Sequence, residues 1–492
     1  MIFRACFTAW LRLVSASTVA LLLAGCISLA PEYQRPAAPV PDNFPSTEQA
    51  AQAAQLPEWQ SYFSDPDLQQ LIFSALDNNP DARIAALRVD EARAAFGIQR
   101  SERLPTISAA ASGSRARVPA DIAGTADSLV VSEYGAQVGF SSWELDLWGR
   151  IRSLEEAALN QWLATEAGER AARLTLIAQV ADGYLRVREL DERLAVAQAS
   201  VASRQLSYDI FSRRYAAGAT ARLDLLQVQT LLTQAQSLLA QLELERSHSL
   251  NALQQLVGSQ IQLPPLQQSF AATMQMPLLP AGLPSQLLQR RPDIMLAEHR
   301  LRAANASIGA ARANFFPRIA LTGAFGTASS ELDGLFESGS RAWSFSPTIS
   351  LPLFDGGRRR ANLELARVRQ EIGVVQYEQA IQNAFREVAD ALAGRHWLGE
   401  QLSVQQQAYQ AQSERARLAR LRYDNGSAAY LEVLDAERDL LAAGQQLVQA
   451  RSALLSSQIG LYLALGGGPL PPVTAEQANG STSFIQPGSR NE

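Results

Sequence analysis

Residues 214–230, RYAAGATARLDLLQVQT, and residues 422–438, RYDNGSAAYLEVLDAER, repeat one phrase 208 positions apart. Each has Arg-Tyr, a Gly three residues after the Tyr, and then Leu, an acid, an aliphatic residue and Leu. A Gly in that place ends a helix in a left-handed cap, and the apolar-acidic pattern after it starts another. Each copy therefore predicts a tight turn between two helices.

Upstream of each turn lies a long stretch without proline, Arg150 to Tyr215 and Arg358 to Tyr423, 66 residues in each case. At about 1.5 Å per residue such a helix is roughly 100 Å long, against a globular mean of about 11–12 residues. It needs a partner along its length. Val180, Tyr184, Val187, Leu194, Ala197 and Val201 follow the three- and four-residue steps of a coiled-coil seam, and the abundant Ala allows close approach. The returning helices are shorter, about 37 residues at 221–257 and 429–465. Asn79-Pro80-Asp81 and Arg291-Pro292-Asp293 each open a further helix of about 24 residues, closed by Pro105 and Pro317. One short helix of each kind, end to end, matches the long helix in height.

After Pro105 and Pro317 the period changes. TISAAASGSRARV, YGAQVGFSSWEL, RIALTGAFG and WSFSPTISLPLF alternate apolar with small polar residues and predict four strands, with hairpin loops at 119–128 and 329–341. Trp148-Gly149-Arg150 and Asp355-Gly356-Gly357-Arg358 supply the glycines for sharp strand-to-helix bends. Segments of this length suffice to cross a bilayer as tilted strands, for which about 9–11 residues are needed. Four strands cannot enclose a lumen, and open edges in lipid leave backbone groups unpaired, so closure requires several chains.

The chain has 492 residues, 47% of them hydrophobic and 18% charged, and a net charge of −5, which supports a folded protein and no nucleic-acid partner. Arg4 and Arg12 precede a short apolar run ending in Leu23-Ala24-Gly25-Cys26, a secretory signal that resembles a bacterial lipobox with Cys26 as the acylated residue. The other cysteine, Cys6, leaves with the signal, so no intramolecular disulfide is possible. The predicted organisation is a signal peptide at 1–25, a lipidated extended tether at 26–55, a first repeat at 56–263, a second at 264–469 and a disordered tail at 470–492. By resemblance, Ile27 lacks the Asp that retains lipoproteins at the inner membrane.

The lipobox, the segment Trp59 with Phe63-Ser64-Asp65-Pro66-Asp67-Leu68, the paired Pro-Asp helices, the two glycine bends and the two Arg-Tyr turns, in this order, resemble outer-membrane efflux proteins of the TolC/OprM/NodT type. The resemblance implies a mainly α fold with a membrane β-barrel. It implies a homotrimer with a 12-stranded barrel continuous with a long periplasmic α-helical barrel, and a belt holding 56–76, 264–283 and 393–401. It implies the exit duct of a tripartite pump in the outer membrane, with a periplasmic adaptor and an inner-membrane transporter of the resistance-nodulation-division class as partners. Within the same fold, protein secretion is an alternative cargo.

The resemblance also places a gate at the tips. Glu432 and Asp435 make carboxylate rings, Leu431 an apolar constriction, and Tyr423 a hydrogen bond to Asp224 of the neighbouring hairpin. An Arg that some relatives carry two residues after the second Gly is replaced here by Ala428. A simpler reading of Asp224 and Glu432 is as helix N-terminal charges favoured by the macrodipole. The turns at Gly218 and Ala219 and at Gly426 and Ser427 are the expected adaptor docking points.

No enzyme is expected. His248, His299 and His396 are far apart and lone within their helices, and Gly466-Gly467-Gly468 ends a helix and precedes Pro469, unlike a phosphate loop. No cofactor is expected beyond the lipid on Cys26. A pore-less coiled-coil lipoprotein or a periplasmic adaptor is the competing class, and four membrane-length strands distinguish it from a duct.

Overall fold

The computed structural model describes residues 28–44, 56–124, 126–266, 268–280 and 284–469. The predicted signal with Cys6 and Cys26, residues 45–55 of the tether and the tail from 470 lie outside the described residues.

The chain runs α1 (Trp59–Tyr62), α2 (Pro66–Asn78), α3 (Pro80–Ser101), β1 (Ile107–Val118), α4 (Ala120–Ala123), β2 (Leu129–Glu144), α5 (Arg150–Ala216) and α6 (Arg222–Val257). It continues with α7 (Phe270–Thr273), α8 (Pro284–Arg290), α9 (Pro292–Ala313), β3 (Arg318–Ser329), a 3-10 turn (Asp333–Phe336), β4 (Arg341–Ser350), α10 (Arg358–Asp424) and α11 (Tyr430–Ala464). The order helix, strand, strand, long helix, shorter helix thus occurs twice. Both long helices have 67 residues. The last predicted strand stops at Ser350, short of Leu351 to Phe354. Residues 393–401, expected in the belt, lie inside the unbroken α10.

The chain divides into two compact units. One is drawn from residues up to Ala37, Leu87–Glu166 and Leu296–Gln379, the other from Ala38–Ala86, Ala167–Met295 and residues from Ala380 on.

The first unit contains the sheet, antiparallel throughout in the order β1-β2-β3-β4. Because side chains alternate along a strand, the register fixes which residues share a face. Ile107, Ala109, Tyr134, Val138, Phe140, Leu321, Phe325, Trp343, Phe345 and Ile349 fall on one face. Ser108, Ser112, Ser114, Gln137, Thr322, Ser344, Ser346 and Thr348 fall on the other, joined by Val118, Leu129 and Val131 near the hairpin end. The apolar face is uncovered, with Trp343 77% and Ile349 70% exposed.

Two glycines define the curvature. A Cβ on Gly139 would stand 2.3 Å from the Gly323 carbonyl oxygen, and one on Gly326 would stand 2.1 Å from that of Ala136. Both belong to the polar face, so the sheet bends toward that face, which is concave. A bulge between Phe140 and Trp143, with Ser142 at φ 52°, adds one residue to β2. Trp143 thereby stays on the apolar face opposite Leu321.

The strand-to-helix bends are capped by the acids before them. Asp146 accepts the backbone N–H groups of Ile151 and Arg152, and Asp355 accepts those of Gly357 and Arg359. Gly149, Gly356 and Gly357 adopt φ of 69°, 63° and 89°. Within the same unit the tether is not free. Asn305 and Arg312 of α9 donate to the carbonyls of Pro31 and Leu29, Arg35 grips Glu298 in three bonds of 2.8, 2.9 and 3.0 Å, and Gly309 leaves room for Ala30.

In the second unit, Val180, Tyr184, Val187, Leu194 and Ala197 are buried as the seam requires, whereas Val201 is only half-buried. Tyr62, Phe63 and Tyr462 stack into a compact core beside Trp59. The paired Pro-Asp motifs join short helices end to end. The Asn79 amide donates to the Leu256 carbonyl at the end of α6, and the Arg291 guanidinium donates to the Ala464 carbonyl at the end of α11. Those carbonyls have no acceptor role within their own helices, so the side chain opening the next helix serves as their partner.

Candidate gate at the helical tips

Both repeated phrases fold into the same turn. The Gly218 and Ala219 N–H groups donate to the Tyr215 and Arg214 carbonyls, and those of Gly426 and Ser427 to the Tyr423 and Arg422 carbonyls. This is a Schellman closure, and it demands the left-handed φ of 69° at Gly218 and 71° at Gly426. Neither glycine has anything within 4 Å of where a Cβ would point, so space outside the turns is open. Ser427 also donates its hydroxyl to the Arg422 carbonyl.

The returning helices begin at Ala221 and Ala429, which give no side-chain cap. Asp224 and Glu432 both occupy the first turn, where a carboxylate faces unpaired N–H groups and the positive helix end. Asp224 accepts the Thr220 hydroxyl at 3.0 Å, and Glu432 pairs with Arg422 at 2.6 Å. Asp435 lies one turn after Leu431 on the same stripe of α11 and pairs with Arg438 at 3.1 Å. Arg438 also binds Asp439, which accepts Arg415 of α10, and these bonds hold the Asp439 carboxyl below its ordinary range. Leu431 is 50% exposed, while Val433, Leu434 and Ala436 are buried. The structure therefore brings Leu431 and Asp435 together on an uncovered face.

One expected link is not made. The Tyr423 hydroxyl accepts a hydrogen bond from the Arg214 guanidinium and is not seen donating to Asp224, whose carboxylate accepts the Thr220 hydroxyl within its own turn. The Tyr423 ring meets Tyr430 edge-on at 4.8 Å, and Tyr430 packs on Phe211 at 4.5 Å with its hydroxyl on that of Ser207. Phe211, Val228 and Leu434 form the apolar contact between the two hairpins. Of the two arginines of the repeated phrase, Arg214 thus reaches the other hairpin, whereas Arg422 binds Glu432 of its own.

Sequence reasoning passed over one further group. Glu437, one turn past Val433, is largely buried between α5 and α10, 3.9 Å from Arg420 and near Arg204 and Ser203, and its Oε2 has no hydrogen-bond partner. Burial pushes its carboxyl up, and burial also pushes the Arg204 guanidinium down. The signal available was an acid falling on the apolar stripe of an amphipathic helix. Among the described residues no group of His, Cys, Asp and Glu is placed to hold a metal ion.

A strand set with one apolar and one polar face, carried on paired 67-residue helices with capped tips, defines a membrane-spanning channel protein. A family model described as outer membrane efflux protein matches residues 71–259 and 283–467. The chain belongs to the outer membrane efflux protein family. It is 45% identical over 466 residues to the solvent efflux pump outer membrane protein SrpC of Pseudomonas putida, covering 93% of this chain and 99% of the relative. It is 43% identical over 459 residues to the outer membrane protein OprJ of Pseudomonas aeruginosa, covering 92% and 95%. Among solved structures, the open state of the Neisseria gonorrhoeae MtrE outer membrane channel matches with a TM-score of 0.83 at 38% identity, covering 90% of this chain and 98% of that one.

Proposed function

We propose that this protein is the outer-membrane exit duct of a tripartite efflux pump, conducting solvents, antibiotics or similar small solutes out of the cell. The observation that carries the reading is the two-faced sheet. Its convex apolar face suits lipid, its concave face of Ser, Thr, Gly and Gln suits a water-filled lumen, and its open edges require neighbouring copies. Three copies close a 12-stranded barrel, and Cys26 carries the lipid anchor.

The same closure gathers six helical tips around one mouth. Leu431 and Asp435 then face their symmetry mates, so that a Leu ring excludes water and an Asp-Arg ring adds an electrostatic barrier. Arg214 and Tyr423 tie the two tips together, and Asp224 and Glu432 brace their own turns through Thr220 and Arg422. The turns at Gly218, Ala219, Gly426 and Ser427 receive a periplasmic adaptor, and an inner-membrane transporter of the resistance-nodulation-division class supplies the energy, with no cofactor in the duct. The test is complementation of a Gram-negative host lacking its own efflux duct, with the cognate transporter and adaptor co-expressed. Restored tolerance to organic solvent or antibiotic is expected. Unchanged accumulation, with the protein present in the outer membrane, would refute the reading.

A further inference from the structure

Three arginines stand on the convex apolar face of the sheet, all toward its hairpin-loop end. Arg115 and Arg117 of β1 share that face with Ile107 and Ala109, and Arg341 of β4 shares it with Trp343 and Phe345. All three are exposed. Arg117 donates from Nε to the Ser128 hydroxyl at 2.9 Å, and among the described ion pairs none of the three binds a carboxylate. Glu133, the acid nearest in register, belongs to the concave face through its pairing with Ser114.

An arginine on the lipid side of a barrel costs about 2–4 kcal/mol at the bilayer midplane and little at the headgroups. Arg117 lies ten positions beyond Ile107, roughly 33 Å along the strand at about 3.3 Å per residue. At the roughly 40° tilt of membrane strands this is about 25 Å of height, the height of the apolar band. The side chains therefore emerge where that band ends. Tyr134, whose ring lies against Gly113, and Trp343 stand beside them as amphipathic rings suited to the same depth.

We propose that Arg115 and Arg117 on the β1 edge of one copy, together with Arg341 on the β4 edge of the copy that pairs with it, form a binding surface for the phosphates of a phosphorylated glycolipid in the outer leaflet. The proposal rests on the duct reading, which turns the convex face to lipid and the loops outward. Charge complementarity selects the occupant. A guanidinium fork binds phosphate oxygens bidentately, and the apolar residues below suit the acyl chains of the same molecule. A second protein copy would pair through the edges of β1 and β4 and leave this face free.

The test is lipid retention by the full-length protein, reconstituted into phosphatidylcholine liposomes and extracted in mild detergent, with bound lipid counted by native mass spectrometry. The liposomes carry bis-phosphorylated lipid A, its dephosphorylated form or phosphatidylglycerol. Selective retention of the bis-phosphorylated form is expected. Replacing the three together, Arg115→Gln, Arg117→Gln and Arg341→Gln, should weaken retention by about fivefold per arginine, and the corresponding Lys substitutions, which keep the charge but lose the fork, should recover only part of it. Equal retention by the Gln variant, or equal retention of phosphatidylglycerol by the wild type, would overturn the proposal. Single-channel conductance of both proteins separates the two readings. A conducting wild type that retains no lipid A refutes the lipid surface alone, and a non-conducting wild type refutes the duct.

Discussion

Glu437 shows how one residue at the tips ties charge to packing. Its environment disfavours the charged form on balance, because loss of water outweighs the attraction of Arg420 and Arg204. An acid with a raised folded pKa holds its proton in the folded state after the unfolded chain has lost it. Stability is therefore lost as pH rises from the ordinary Glu value toward the raised one, and it is level above that window. Glu437→Gln should raise the melting temperature at pH 7 and have little effect near pH 4. An equal effect at both values would show that the carboxylate carries no net penalty. The sequence made the residue types of this region legible. The Arg-Tyr pairs, Leu431, Asp435 and the two glycines were all evident from the repeat. Partner choice was not, because it depends on which helix face meets which neighbour. Tyr423 accepts from Arg214 of the other hairpin while Asp224 accepts Thr220 within its own turn, a choice of partners that spacing does not display.

Elements were more legible than contacts. The long helices, the four strands and the tight turns follow from periodicity, proline placement and glycine placement, and their bounds shift by only a few residues. Two features escaped. The bulge at Ser142 reverses the parity of β2 between Phe140 and Trp143, and only the register reveals it. The segment at residues 29–35 reads as an extended tether by composition, and its place in a groove of α9 that Gly309 and Asn305 provide is not evident from composition. At the turns, Gly218→Ala and Gly426→Ala each force an L side chain into φ near 70°, at a cost of about 1 kcal/mol. Nothing surrounds either Cβ position, so the strain should be purely conformational. Chemical denaturation of the two variants should show similar losses, and a larger loss at one site would indicate that its turn packs against something further.

At the scale of the molecule, the duplicated half explains why few kinds of contact build a large object. Asn79 with Leu256 and Arg291 with Ala464 join short helices end to end at matching places in the two repeats. Both copies carry the leucine, Leu223 and Leu431, but only the second follows it with Asp435 and Arg438 where the first has Gln227 and Thr230, and on the proposed reading this inequality makes the second copy the gate. Cys26→Ala should abolish incorporation of radioactive palmitate, and persistent labelling would place the lipid elsewhere. The most direct test of a gated duct is single-channel conductance of the purified protein in planar bilayers, before and after Leu431→Ala with Asp435→Ala. The account predicts a small conductance for the wild type and a clear, sustained increase for the double variant. An unchanged conductance, with the double variant assembled normally, would contradict it.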